Sequence, residues 1–248
     1  MTISTLKIAR ACIGFGALLG QAAQADQIAV CITATGRYLH FAHELIESMR
    51  PRFMVGHEVT YYVFTDQESE PQQDVKIVPW PRFGWPADTM KRTSAYLSQQ
   101  EALSTYDWVY ALDADMLVIA PVGEELFGDT VGVSYWKPGT GTWETNPAST
   151  AYLPPELRKA YYAGGVYGGS SKGFLRICQF CKQNQERDEQ HGITAIWHDE
   201  SHLNCFFGRY PPAITLGKPY CWGEEPNADL SQAKIVARSK NHAWYRSP

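Results

Sequence analysis

Continuous apolar runs alternate with helically spaced ones over most of the chain, the pattern of a sheet buried on both faces between helices. Ile28 to Thr35 predicts a buried strand, and Leu39, Ala42, Leu45, Ile46 and Met49 then share one face of a helix over Tyr38 to Met49. His57 to Phe64 alternates enough for a second strand, Gln67 to Gln73 is a polar loop, and Val75 to Val78 is a short third strand. After a Pro and aromatic cluster, Pro79 to Pro86, Asp88 is a good N-cap for a helix from Thr89 to about Leu103. Trp108 to Leu112, bounded by Thr105 and Asp107, predicts another buried strand, and Thr130 to Tyr135 a further one. Lys137 to Pro147 reads as a long loop, a usual place for a lid or binding loop. Helices follow from Ser171 to about Gln190 and from a cap at Asp199 or Ser201 to about Phe207. The order predicts an α/β fold on a mostly parallel sheet, beginning near Gln27.

Candidate chemistry gathers at the ends of these elements. Asp113 and Asp115 close the Trp108 strand, and acids at i and i+2 share a side only if the chain turns there. Two oxygen donors at a strand's carboxyl end suit Mg²⁺ or Mn²⁺ carrying phosphates, although Asp-x-Asp is also a common solvated turn. Tyr161-Tyr-Ala-Gly-Gly-Val-Tyr-Gly-Gly-Ser170 crowds glycines among aromatic residues, either as a wall for a ligand or as a bulged strand. In Trp197-His-Asp-Glu-Ser-His-Leu-Asn204, capping explains one acid, yet His198, Asp199, Glu200 and His202 exceed what a cap needs. Arg238, Lys240 and Arg246 form a cationic tail that is either solvated or folded over a phosphate.

Composition narrows the partners. A net charge of −4 argues against nucleic acid, which requires a basic surface. The aromatic content, with eight Trp and fourteen Tyr, is compatible with a sugar cleft but is first a matter of core filling. Among six cysteines, Cys178 and Cys181 lie on the stripe of Phe174 and Ile177, so all are expected as small buried hydrophobes in a reducing compartment. Residues 1–26 are expected as a leader, signal-like or disordered: Lys7 and Arg10 precede a short apolar segment and a small-residue stretch, the layout of a secretory signal, while an amphipathic leader or a mis-chosen start codon explains it equally. Export or a secretory compartment therefore stays open beside a cytoplasmic or membrane-surface location, with peripheral membrane contact. The lack of an Asn-x-Ser/Thr sequon favours the latter pair.

Taken in register, these motifs resemble family 6 glycosyltransferases, the retaining enzymes that include the blood group A and B transferases and α-1,3-galactosyltransferase. The resemblance rests on Phe53 to Asp66, Leu112-Asp-Ala-Asp-Met116, Tyr161 to Ser170, Trp197 to Asn204 and Lys240-Asn-His with Arg246, and it runs from about Ile28 to the last residue. It implies a GT-A type, Rossmann-like nucleotide-sugar-binding fold at 27–248. Residues 27–116 would mainly bind UDP, 117–235 the acceptor, and 236–248 would close over the donor. Asp113 and Asp115 would hold Mn²⁺ on the diphosphate of a UDP-sugar. Ala34 and Tyr38 would hold the nucleoside, Arg92 and Asp199 the donor sugar, and Lys240 and Arg246 the diphosphate. Glu200 would be the nucleophile or the stabilising carboxylate, with the nucleophilic and front-face routes both open. Trp197, His198, Glu200, Lys137 and Glu224 would border the acceptor.

Donor choice would turn on Ala163, Gly164 and Gly165, where a glycine at Gly165 leaves room for an acetamido group and implies UDP-GalNAc. The resemblance thus implies GalNAc transfer in α-1,3 linkage to a galactoside, fucosylated or not, on an oligosaccharide or glycolipid. A UDP-galactose-using enzyme, a UDP-sugar hydrolase and a non-catalytic sugar- or nucleotide-binding relative are the alternatives. Intact Asp113, Asp115, Glu200, Lys240 and Arg246 speak against the last.

Overall fold

The computed structural model describes residues 25–70, 72–134, 137 and 139–246. Most of the leader, Cys12 and the Tyr135 end of one expected strand lie outside the described residues. The chain runs through β1 (Gln27–Thr33), α1 (Leu39–Met49), β2 (Glu58–Thr65), β3 (Val75–Pro79), α2 (Ala87–Met90), α3 (Arg92–Leu97) and α4 (Gln100–Leu103). It continues with β4 (Trp108–Leu112), β5 (Met116–Val118), β6 (Val131–Val133), β7 (Val166–Ser170), α5 (Ser171–Gln190) and α6 (His198–Arg209). The last elements are β8 (Ile214–Leu216), β9 (Trp222–Gly223), β10 (Ile235–Ala237) and α7 (His242–Arg246).

Seven strands form one sheet in the order β3-β2-β1-β4-β7-β6-β8, mostly parallel, with β7 antiparallel to both its neighbours. The α/β class expected from the periodicity is what forms. β1 is central because both its faces are apolar: Ile28, Val30 and Ile32 pack with Leu45, Ile46 and Met49 of α1, while Ala29 and Cys31 pack with Ala95, Tyr96, Phe174 and Ile177 of α3 and α5. Cys178 and Cys181 sit on that apolar stripe, and burial pushes their thiols well above the ordinary range. A smaller sheet, β5-β10-β9, brings the C-terminal segment beside the end of β4.

Three expectations change. The helix predicted from Thr89 to Leu103 is three short ones, interrupted at Lys91 (φ −92°, ψ 5°) and Gln99 (φ −113°, ψ 20°). Asp88 does not cap it; its Oδ1 accepts from the Phe83 N–H at 2.7 Å in the preceding loop. The Ser98 hydroxyl bonds back to the Ala95 carbonyl, a competing local bond that propensity does not register. Nor do Asp199 or Ser201 occupy the N-cap of α6, which is Trp197, its N–H bonded to Ser201 Oγ at 2.9 Å.

The glycine run divides between a strand and a turn, and the strand, β7, pairs with β4 in an unbroken register and so is not bulged. Gly168 lies within β7, where a Cβ would come 2.4 Å from both the Tyr110 ring and the Val109 carbonyl, so tight sheet packing requires it. Gly164 and Gly165, just before the strand, face the cleft described below. The loop after Lys137 is tethered on its second half: Glu144 is buried and accepts from Ile196 N–H (2.7 Å), and Ser149 and Thr150 bond Asp188 of α5.

His202 of α6 lies beside this tether, its Nε2 3.9 Å from Asp188 Oδ2, and neither ring nitrogen has a hydrogen-bond partner among the described residues. Burial pulls its imidazole down to about 4, against the pull of Asp188 and Glu144. The unfolded chain takes the proton near pH 6.5, the folded chain only near 4, so the folded state is penalised as pH falls through that window. The loss should reach ~3 kcal/mol at pH 4. Urea unfolding between pH 7 and 4 should show this slope, and His202→Gln should flatten it; equal slopes in both proteins would contradict the assignment.

Candidate active site

The carboxyl ends of β1 and β4 define the point where strand order reverses, the position at which open α/β sheets leave a crevice. β4 ends at Leu112 and the chain turns at once, with Met116 N–H donating to Asp113 O (3.1 Å). This turn lets acids at i and i+2 share one side. Neighbours fix its backbone: Asp113 N–H donates to Gly165 O (2.9 Å) before β7, and Asp115 O accepts from Arg238 N–H (2.9 Å) after β10. A cleft of ≈ 270 Å³ opens above it, lined from β1, the Arg82–Arg92 segment, the Gly164–Gly165 turn, the start of α6 and the tail.

Arg92 is the hub. Its Nη1 meets Asp113 Oδ1 at 2.5 Å, its Nε meets Asp199 Oδ2 at 2.9 Å, and its Nη2 donates to Thr89 Oγ1 at 2.6 Å. Thr89 closes the ring by donating to Asp199 Oδ1 at 2.7 Å. Burial alone would lower the guanidinium's pKa, but the Asp113 and Asp199 charges outweigh it and hold it well above its ordinary value. Burial raises Asp199 even against Arg92 and Thr89. Glu200 stands alongside, both oxygens engaged, by the Tyr161 hydroxyl at 2.7 Å and the Gly164 N–H at 2.7 Å. Burial raises its pKa, these two donors oppose, and Asp199 and Asp113 add to the rise.

The tail lies across the cleft's other side. Lys240 pairs with Asp115, Tyr245 stacks on Phe41 (4.6 Å) beside Tyr38 (5.3 Å), Arg37 lies over Trp244 (4.4 Å), and Arg246 covers the face of Trp85 at 3.4 Å. Arg246 Nε is buried with no hydrogen-bond partner among the described residues, an orphan cationic donor. Asp113 Oδ2 and Asp115 Oδ1 make no hydrogen bond among the described residues, so each acid keeps an oxygen for a hard cation whose remaining ligands would be phosphate and water.

Of the residues singled out in the sequence, the cleft gathers Tyr38, Arg92, Asp113 and Asp115, then Gly164, Gly165, Trp197 and His198, and finally Asp199, Glu200, Lys240 and Arg246. Ala34 and Ala163 are buried in the core and do not line it. Lys137 is exposed outside it, as is Glu224, which accepts from the Ser239 N–H at 2.9 Å. Sequence reasoning missed Arg82, Trp85 and Thr89, which line the cleft, and Tyr161 behind it. The signal was a Trp between Gly and Pro in a cluster read only as a connector.

With this geometry in hand, comparison with known proteins decides the family, since the model of glycosyltransferase family 6 matches residues 17–247. The chain belongs to glycosyltransferase family 6. It is 31% identical over 245 residues to histo-blood group ABO system transferase 1 of Rattus norvegicus, covering 90% of this chain and 70% of that one. Identity is 30% to human globoside alpha-1,3-N-acetylgalactosaminyltransferase 1, over 79% of this chain and 61% of the relative. It is 28% to the O-antigen biosynthesis glycosyltransferase WbnI of Escherichia coli, over 85% and 94%. This family 6 protein is a hexosyltransferase of mixed α/β, GT-A type fold, built for a nucleotide-sugar donor and a glycan acceptor.

Removing the hub would strand buried charge. Arg92→Met should cost ~3–5 kcal/mol of stability, and adding Asp199→Asn should restore part of it. Chemical unfolding checks both; a loss below ~1 kcal/mol would mean that Arg92 is not what compensates these acids.

Proposed function

We propose that the chain transfers N-acetylgalactosamine from UDP-GalNAc, with retention, in α-1,3 linkage to a galactoside, in a reaction dependent on Mn²⁺. The observation that carries this reading is the acid pair at the end of β4, sharing one cleft with two cations of the tail, Lys240 and Arg246, the latter with its Nε buried and unbonded among the described residues. Asp113 and Asp115 would hold the ion, which when bound supplies positive charge to the departing diphosphate. Lys240 would leave Asp115 for the diphosphate, and Arg246 Nε would gain an acceptor. Both cations then act more strongly on a leaving group that gains charge than on the ground state. Tyr38, with Tyr245 beside it, offers an aromatic shelf for the nucleoside.

Arg92 and Asp199 would hold the donor sugar through N–H hydrogens and lone pairs left over from their bonds to each other, to Asp113 and to Thr89. Glu200 would face the anomeric carbon and stabilise its developing positive charge. Exposed Trp197 with His198 at the mouth would receive the acceptor, a fucosylated galactoside being the first to test. The GalNAc choice follows the resemblance at Gly165. A Cβ there would lie 2.3 Å from Met116 Cε and 3.2 Å from Asp113 Oδ2, so it would press on a metal-holding carboxylate. The names of the relatives agree in class, since globoside alpha-1,3-N-acetylgalactosaminyltransferase 1 and alpha-1,3-galactosyltransferase 2 are both among them.

Initial rates with UDP-GalNAc and UDP-galactose on a fucosylated galactoside should favour UDP-GalNAc by at least ~10-fold in kcat/KM, and Gly165→Ala should lower the rate with either donor. A preference for UDP-galactose would overturn the donor assignment. Release of UDP without a glycosylated product would instead make the chain a hydrolase.

A further inference from the structure

Tyr161 is buried with Trp143 and Leu153 in a small apolar cluster beneath the cleft, and it does not line the cleft itself. A phenylalanine would fill that space as well, so the hydroxyl needs its own account. It donates to Glu200 Oε1 at 2.7 Å while the Gly164 N–H takes Oε2 at the same distance. The ring is itself clamped. Trp143 meets it edge-on at 5.1 Å and 88°, and Gly141 lies against its face at φ +129°, where a Cβ would come within 2.4 Å of ring carbon. Glu144, next along, is tied to the Ile196 N–H just before α6. A continuous set of contacts therefore runs from the 139–144 segment through one phenol to the Glu200 carboxylate.

We propose that Tyr161 is a positioning residue for Glu200. Its hydroxyl fixes the plane and depth of the carboxylate, and the 139–144 segment serves the reaction by holding the ring. The proposal rests on the reading of Glu200 as the carboxylate opposite the anomeric carbon. Electrostatics agree: burial favours the protonated acid, and the Tyr161 O–H is the strongest opposing influence. Burial and the Glu200 charge also push the Tyr161 hydroxyl far above its ordinary pKa, so it stays a donor. A carboxylate held by two fixed donors needs no reorganisation as positive charge develops on the sugar.

The test is a double-mutant cycle of Tyr161→Phe, Glu200→Gln and the pair, with transfer measured from whichever of UDP-GalNAc and UDP-galactose the chain turns over. Tyr161→Phe should lower kcat roughly 10- to 100-fold, the worth of one hydrogen bond to a charged group. The donor KM should stay nearly unchanged, and the double variant should be no slower than Glu200→Gln alone. Unchanged kcat in Tyr161→Phe, or an equal further loss on top of Glu200→Gln, would overturn the proposal. Near-normal turnover by Glu200→Gln would instead remove the reading of Glu200 on which it rests. Should Tyr161→Phe lose its cooperative melt, Gly141→Ala keeps the hydroxyl but presses on the ring, and its kcat loss should likewise vanish in the Glu200→Gln background. Persistence of that loss would contradict the proposal.

Discussion

Everything at the site depends on charge compensation at the end of one buried strand. The β4 run is apolar to its last residue, and the chain then places two carboxylates at the rim of the sheet, Asp115 buried and Asp113 partly exposed to the cleft. Such acids are tolerable only if cations come to them. Arg92 arrives from the interrupted helix before β4, and Lys240 arrives from the tail. The same two contacts fix which segments surround the cleft, so an electrostatic need of one turn organises elements far apart in sequence.

This constraint explains features that otherwise look unrelated. α2 and α3 are broken at Lys91, and the residue after the break is the one whose guanidinium reaches both Asp113 and Asp199. β7 runs against its neighbours, which brings the Gly164–Gly165 turn beside Asp113 with bare backbone available on both sides. The first turn of α6 spends its acids inward: Asp199 on Arg92, Glu200 on Tyr161 and Gly164. The N-cap of that helix, Trp197, makes no side-chain cap bond.

The sheet, α1, β4 and α5 were legible because buried strands and one-sided helices leave a periodic trace, and both ends of β4 and of α5 fall where the pattern ends. Most of the site was legible for a different reason, since Asp113, Asp199, Glu200 and Lys240 stand in dense polar words amid apolar sequence. What escaped was decided by contacts at long range. Nothing local says that Asp88 serves a loop instead of a helix, or that Trp85 will lie under Arg246. β5, β9 and β10 are too short to carry a period and exist because they pair with one another. Ala34 and Ala163 were named through resemblance, and their side chains turned into the core.

In the proposed function the acid pair at the end of β4 would balance a diphosphate through a divalent ion. Titration calorimetry of UDP on the full chain, in chelator and then in Mn²⁺, reads this without an acceptor or a turnover. Mn²⁺ should tighten UDP binding by at least ~10-fold, about 1.4 kcal/mol, and Asp115→Asn should remove most of that gain. Equal affinity for UDP with and without the ion would contradict the account.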